Sequence, residues 1–249
     1  MSAEGARKAR IAAAFSAQAG SYESVGEVQR EVAMRLARRI GSVARVPRNI
    51  LEIGCGTGFL SVEMARIFPD ADLLLSDISP AMLACASARV RARGLVLDGE
   101  HPQLTERFDL IVSSLALQWF GDLQAGLARL AGLLAPGGRL MFATLGADSF
   151  KEWRQAHAAL GLACGTPEYP GAENFPWPPG VSRTLEAEPI VHAYADGMSF
   201  IRSLKALGAR EPVAGYRPLS PGNMRRVLAS FEDGISITYQ ILYGAILRD

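Results

Sequence analysis

Cysteine and histidine are scarce in this chain, three of each in 249 residues. Cys55, Cys85 and Cys164 lie far apart and form no C-x-x-C, and His101, His157 and His192 are equally scattered. That excludes a disulfide framework, gives no reason to expect a metal site, and fits a reducing, cytoplasmic setting. His157 shares an apolar helical face with Phe150, Trp153 and Leu160, so it reads as a core histidine rather than a ligand. A surplus of one charge is missing as well. Lys and Arg total 26 against 25 Asp and Glu, so a net charge of +1 gives no global pull toward nucleic acid. No apolar run approaches the roughly twenty residues of a membrane span, so no membrane partner is expected. The basic opening Arg7-Lys8-Ala9-Arg10 leads into no apolar core of a secretory signal.

What the chain does carry is a glycine at every second position of Glu52-Ile53-Gly54-Cys55-Gly56-Thr57-Gly58, between an apolar run and a helix-like stretch from Phe59 to Ile67. A strand that turns into a helix through such a loop brings backbone N–H groups against a ligand with no side chain between. The dinucleotide fingerprint G-x-G-x-x-G does not fit, because Phe59 stands at its third glycine. Asp77 closes a second apolar run, nineteen residues after Gly58. An acidic residue there accepts hydrogen bonds from ribose hydroxyls. The competing reading is an aspartate that only caps a turn, ahead of Ser79 as N-cap and Pro80 at the first helical position.

Along the chain, Val25, Val28, Val32, Leu36 and Ile40 mark an amphipathic helix over 25–40, with Arg30, Arg35, Arg38 and Arg39 on a solvated face. Strands are expected at Asn49–Ile53, Ala71–Ser76, Gly94–Leu97, Phe108–Ser113 and Gly138–Leu145, alternating with helices. That alternation predicts a doubly wound α/β sheet built from parallel units. Ser149 and Glu152 have the spacing of a capping box for a helix that stops at Gly161. Prolines 167, 170, 176, 178 and 179 make 166–180 a loop. The alternating tail from Ile235 to Ile246 is a strand.

The glycine loop resembles motif I of class I S-adenosylmethionine methyltransferases. Several more selective segments are similar to the malonyl-acyl carrier protein O-methyltransferases of biotin synthesis, the BioC family. They are Ile11-Ala12-Ala13-Ala14-Phe15 with Ser21-Tyr22-Glu23, then Ser114 to Trp119, then Arg202-Ser203-Leu204-Lys205-Ala206-Leu207-Gly208-Ala209, then Ile237-Thr238-Tyr239-Gln240. The resemblance implies one domain over 1–249, with a mostly parallel, Rossmann-like sheet of seven strands whose last enters antiparallel. It also implies a helical segment at 1–45 closing the site and an inserted helical lid, with the Pro-rich loop, at about 162–210. The implied reaction is methyl transfer from S-adenosylmethionine to the free carboxylate of a malonyl thioester on acyl carrier protein.

On that resemblance Glu52, Gly54, Gly56, Gly58, Asp77, Ile78, Met82, Asp98 and Ser114 hold the cofactor. Tyr22, Gln118 and Trp119 are the catalytic candidates, and Phe15 meets the substrate. Arg202 and Lys205, three apart on one helix face, dock the acidic carrier protein. From the residues alone, the competing readings are a core methionine at Met82, a turn at Asp98-Gly99, and a solvated edge at Arg202 and Lys205. Base-amine methylation is disfavoured, since Ser113 to Trp119 replaces Asn/Asp-Pro-Pro-Tyr. Cytosine C5 chemistry lacks its cysteine there. Two further readings remain open: methylation of a free small acid, and a relationship to complex I assembly factors through Val112-Ser113-Ser114-Leu115 and Trp119.

Overall fold

The computed structural model describes residues 2–42, 45–209, 212–213 and 215–248. In chain order the helices are α1 (Ala3–Ser16), α2 (Tyr22–Val25), α3 (Glu27–Gly41), α4 (Phe59–Ile67), α5 (Pro80–Ser87), α6 (Leu123–Gly132), α7 (Lys151–Ala159), α8 (Gly197–Ala206) and α9 (Pro221–Ala229). The strands are β1 (Asn49–Ile53), β2 (Asp72–Asp77), β3 (Arg93–Val96), β4 (Phe108–Ser114), β5 (Leu134–Leu145), β6 (Ser182–Tyr194) and β7 (Ile235–Leu247). They form one sheet in the order β3-β2-β1-β4-β5-β7-β6. The first five run parallel, and β7 lies antiparallel between β5 and β6. Strand order reverses between β1 and β4, and in open α/β sheets the ligand crevice lies outside the carboxyl ends at that switch.

The central strands are continuous apolar runs because helices cover both faces. Leu51, Leu75, Ile111 and Val112 are fully buried, and α3 closes one face with Val32, Leu36 and Ile40. The α5 cap is the expected one, with Ser79 Oγ accepting from Met82 N at 3.2 Å and Pro80 at the first position. Among the described residues no helix is long and apolar enough to cross a membrane.

Three expectations are corrected. Ser149 and Glu152 form no capping box: α7 starts after Phe150, which has φ 61°, with no side-chain cap. Ser149 Oγ instead accepts from Gln240 N at 3.1 Å, and Glu152 accepts from Thr238 N at 2.9 Å and Thr238 Oγ1 at 2.6 Å. Both side chains serve as rungs from the helix to β7, which outcompetes the local cap. Second, the segment expected as a lid contains β6, an edge strand. It was hidden because its residues are mostly exposed and show no apolar alternation, and Pro189 is tolerated at an edge. Third, Arg35 and Arg39 are not simply solvated. Both reach Glu188 on β6, Arg35 Nη1 at 3.1 Å, and Arg39 also meets Glu186.

Candidate active site

The glycine loop leaves β1 with Gly54, Gly56 and Gly58 all at positive φ, 67°, 54° and 95°. A Cβ on Gly54 would stand 2.3 Å from the Ala116 Cβ, so only glycine lets the loop pass the end of β4. Asp77, at the end of β2, ties this loop down: its carboxylate accepts from Gly56 N at 2.9 Å and from Ser79 N at 2.8 Å. The turn-capping role and a place in the site are therefore held by one residue. Burial pushes the Asp77 carboxyl up, against the lowering effect of the N–H groups of Ser79, Gly56 and Ile78.

Above the loop lies a first cavity. Glu52, Gly54, Gly56, Asp77, Ile78, Met82, Asp98 and Ser114 line it, joined by Phe15, Tyr22 and Trp119. Gly58 does not; it precedes α4, where a Cβ would stand 3.1 Å from the Ala86 α-carbon. A second cavity adjoins the first, and Phe15, Tyr22, Gln29, Leu115 and Trp119 line both. Gln118 lines only the second. Its amide is spent on scaffolding, with Nε2 donating to Leu115 O at 2.6 Å and Oε1 accepting from Thr144 at 3.3 Å. That brace holds Leu115 at φ 52°, a strained turn where the two cavities meet. Arg202 and Lys205 line neither cavity; both are exposed on α8, whose Ile201 and Leu204 line the second.

The first cavity fits a cofactor with positive charge. Glu52 is 1% exposed and its Oε2 has no hydrogen-bond partner, nor does the Thr57 hydroxyl in the loop. A buried carboxylate oxygen without a donor is costly unless a ligand supplies one. Burial pushes Glu52 up to about 8, with the Ser61 hydroxyl opposing and Asp77 adding to the rise. Burial, together with the charge of Asp77, likewise raises the Tyr22 phenol, which stays protonated as a donor.

No spacing pattern points to Lys8 as part of the site. This α1 lysine is nearly buried and bridges Asp98 Oδ1 at 2.9 Å and Glu100 Oε2 at 2.6 Å. Burial alone would raise both carboxyls, but the Lys8 ammonium brings them below their ordinary range. Asp98 is thus already engaged, with Lys8, His101 and Glu100 N. Asp98, Glu100 and His101 converge closely enough to hold a cation, and the ammonium supplies that charge. Gln29, Tyr169 and Tyr239 were missed too, since nothing in their spacing relates them to the loop.

A family model described as "Methyltransferase domain" matches residues 51–140. The chain is 48% identical to the biotin biosynthesis bifunctional protein BioCD of Bordetella avium over 94% of its own length, spanning 51% of that longer relative. It is 40% identical to the malonyl-(acyl-carrier protein) O-methyltransferase of Magnetococcus marinus, covering 98% of this chain and 94% of that one. A phosphoethanolamine N-methyltransferase of Haemonchus contortus, solved with S-adenosyl-L-methionine, shares the fold at TM-score 0.57 and 15% identity, over 94% of this chain and 57% of that one. On the full-length match, the chain belongs to the malonyl-(acyl-carrier protein) O-methyltransferase family.

Proposed function

We propose that the protein transfers a methyl group from S-adenosylmethionine to the free carboxylate of a malonyl thioester on acyl carrier protein, an early step in biotin synthesis. The observation that carries this reading is the shared wall. One cavity holds the unsatisfied Glu52 carboxyl, suited to a cationic cofactor, the other is lined among the described residues by no Asp, Glu, Lys or Arg, and Phe15, Tyr22, Leu115 and Trp119 stand between them. When bound in the first cavity, S-adenosylmethionine supplies a methyl carbon on a positively charged sulfur. Gly54 and Gly56 let the backbone approach it, Asp77 takes the ribose hydroxyls, Ile78 and Met82 flank the base, and Glu52 with Ser114 faces the methionine end.

The acceptor needs no general base, because a malonyl carboxyl of pKa near ~4 is already ionised at neutral pH. A C–O bond forms as the C–S bond breaks, the electron pair stays on sulfur, and no proton moves. Two opposite charges disappear together, so water opposes the reaction and a dry, aligned pocket favours it. Phe15 and Trp119, edge to face at 5.5 Å, close that wall. Tyr22 donates to one carboxylate oxygen and leaves the other free to react. Gln118 acts by bracing Leu115. The segment 1–45 closes the site, with Lys8 fixing α1 over the first cavity, and 162–210 supplies β6 and the α8 wall as part of the single domain.

The partner docks on α8, where Arg202 and Lys205 are exposed on the outer side of a wall of the second cavity. Incubation with S-adenosylmethionine and malonyl-acyl carrier protein should add one methyl by mass spectrometry. Methylation of free malonate alone, or of nothing, would overturn the reading.

A further inference from the structure

His157 lies on α7 at 2% exposure and lines the second cavity but not the first. Its Nδ1 is 2.8 Å from the Trp153 carbonyl. A carbonyl only accepts, so Nδ1 carries the proton and donates. That fixes the tautomer and leaves Nε2 as the ring's other polar atom. No described residue hydrogen-bonds Nε2; Trp153 packs against the ring at 4.8 Å. The described histidine ion pairs belong to His101 and His192, not to His157. The neutral ring presents Nε2 as an acceptor in a cavity lined, among the described residues, by no Lys, Arg, Asp or Glu.

A buried acceptor of fixed tautomer selects a ligand that offers an N–H or O–H. We propose that His157 reads the thioester arm of the substrate, with Nε2 accepting a hydrogen bond from an amide N–H. The inference rests on the reading above, in which the second cavity takes the acyl thioester. The carboxylate then lies at the shared wall by Tyr22. His157, absent from that wall, meets the arm beyond the thioester. Neither the malonyl group nor the thioester has a hydrogen-bond donor, whereas the amides of the pantetheine-type arm do. His157 would thus distinguish a carrier-type arm from a simple thioester without touching the reacting atoms.

The test compares kcat/KM for malonyl-N-acetylcysteamine and malonyl ethyl thioester, which differ by that amide. The native protein should favour the amide-bearing thioester by roughly three- to tenfold, the range of one neutral buried hydrogen bond. In His157→Asn the side-chain amide keeps the donor to the Trp153 carbonyl and lacks Nε2, so the preference should vanish with the difference in KM. In His157→Gln the amide oxygen stands near Nε2 and should restore part of it. Thermal midpoints and S-adenosylhomocysteine affinity check that each variant is folded. A preference unchanged in folded His157→Asn, or absent from the native protein, would return His157 to the core and sink the proposal. Should one variant not fold, the other and the native ratio decide by the same outcomes. Failure of the native protein to methylate either thioester, or malonyl-acyl carrier protein, while still binding cofactor would instead count against the function itself.

Discussion

The two adjoining cavities are built on opposite plans. In the first, polar groups are buried without partners: Glu52 Oε2 and the Thr57 hydroxyl have none, and the backbone bends through three left-handed glycines. In the second, several of the lining polar groups are already engaged by neighbouring residues. Tyr239 bonds Tyr194 at 2.6 Å, Thr166 meets Cys164, and Gln118 is fully engaged. Aromatic rings and aliphatic side chains make up the rest of its wall, Phe150, Trp153, Leu145 and Ile201 among them. The first is therefore unfinished until a charged ligand completes it, and it costs stability while empty. The second recognises shape and a few remaining polar points, and costs little. On the proposed function, that difference separates a site that must hold one cofactor tightly from a site that must load and release an acyl arm.

The strongest way to break the comparison is at the glycine loop. Gly54→Ala places a methyl 2.3 Å from Ala116 Cβ at φ 67°. A left-handed non-glycine residue costs roughly 1–2 kcal/mol before any overlap. Cofactor affinity by calorimetry should fall by about a hundredfold or more. Gly56→Ala, whose Cβ meets no protein atom within 4 Å, escapes the overlap with β4 and should lose less, through the conformational part and the closer approach to the cofactor. Equal losses would mean that the close approach to β4 does not matter.

Glu52 gives the next largest effect and shows the cost of the unfinished site. Its pKa rises from the ordinary ~4.3 of a glutamate to about 8 in the fold. Between those values the folded state holds a proton that the unfolded chain has released. Stability of the cofactor-free protein is thus complete below the lower value and is lost as pH rises toward 8. Glu52→Gln removes that loss, so its thermal midpoint without cofactor should exceed the native one at pH 7–8. The same change removes the partner of a cationic ligand, and S-adenosylmethionine affinity should drop about tenfold. A variant that is both less stable and unchanged in binding would make Glu52 an ordinary core residue.

Tyr22 lies on the shared wall and sharpens the boundary. Tyr22→Phe keeps the ring beside Phe59, 6.2 Å away, and deletes only the hydroxyl. Turnover should fall about tenfold with cofactor affinity nearly constant, because a lost donor at the acceptor carboxylate acts on the reacting geometry. A collapse of cofactor binding with intact turnover at saturation would move Tyr22 wholly into the first cavity.

The same contrast explains what could be read from the residues in order. The first cavity was legible because its key groups cluster in two strand ends, 52–58 and 77–82, with spacing dictated by backbone approach. The second is assembled from α1, α2, α3, the turn after β4, β5, α7, the loop at 165–169, α8, α9 and β7, so no local pattern announces it. His157 looked like a core residue because it is one, on a helix whose buried face is also a cavity wall. Ser149 and Glu152 misled for a related reason: their capping spacing was genuine, but β7 lay within reach and competed. Lys8 gave no signal, since its partners lie ninety residues away.

The smallest expected effect lies outside both cavities. Arg202 and Lys205 are exposed on α8, and Asp196 at the start of that helix is held below its ordinary range by the Ser199 cap and, to a lesser degree, by Arg202. Ile201, Leu204 and Leu207 meanwhile line the second cavity. The helix thus carries a wall of the second cavity on one side and two cations on the other. An acidic carrier protein meeting those cations would bring its arm to the cavity edge. Arg202→Glu with Lys205→Glu should raise KM for malonyl-acyl carrier protein several-fold and leave kcat and activity on malonyl-N-acetylcysteamine nearly unchanged. Exposed charge pairs are screened, so the difference should shrink as salt rises and the Debye length falls toward ~3 Å near 1 M. Equal losses on both substrates would place the two side chains in the acyl site. A KM for the carrier substrate that charge reversal leaves unmoved at low salt would take the dock off α8 and leave the helix as a cavity wall alone.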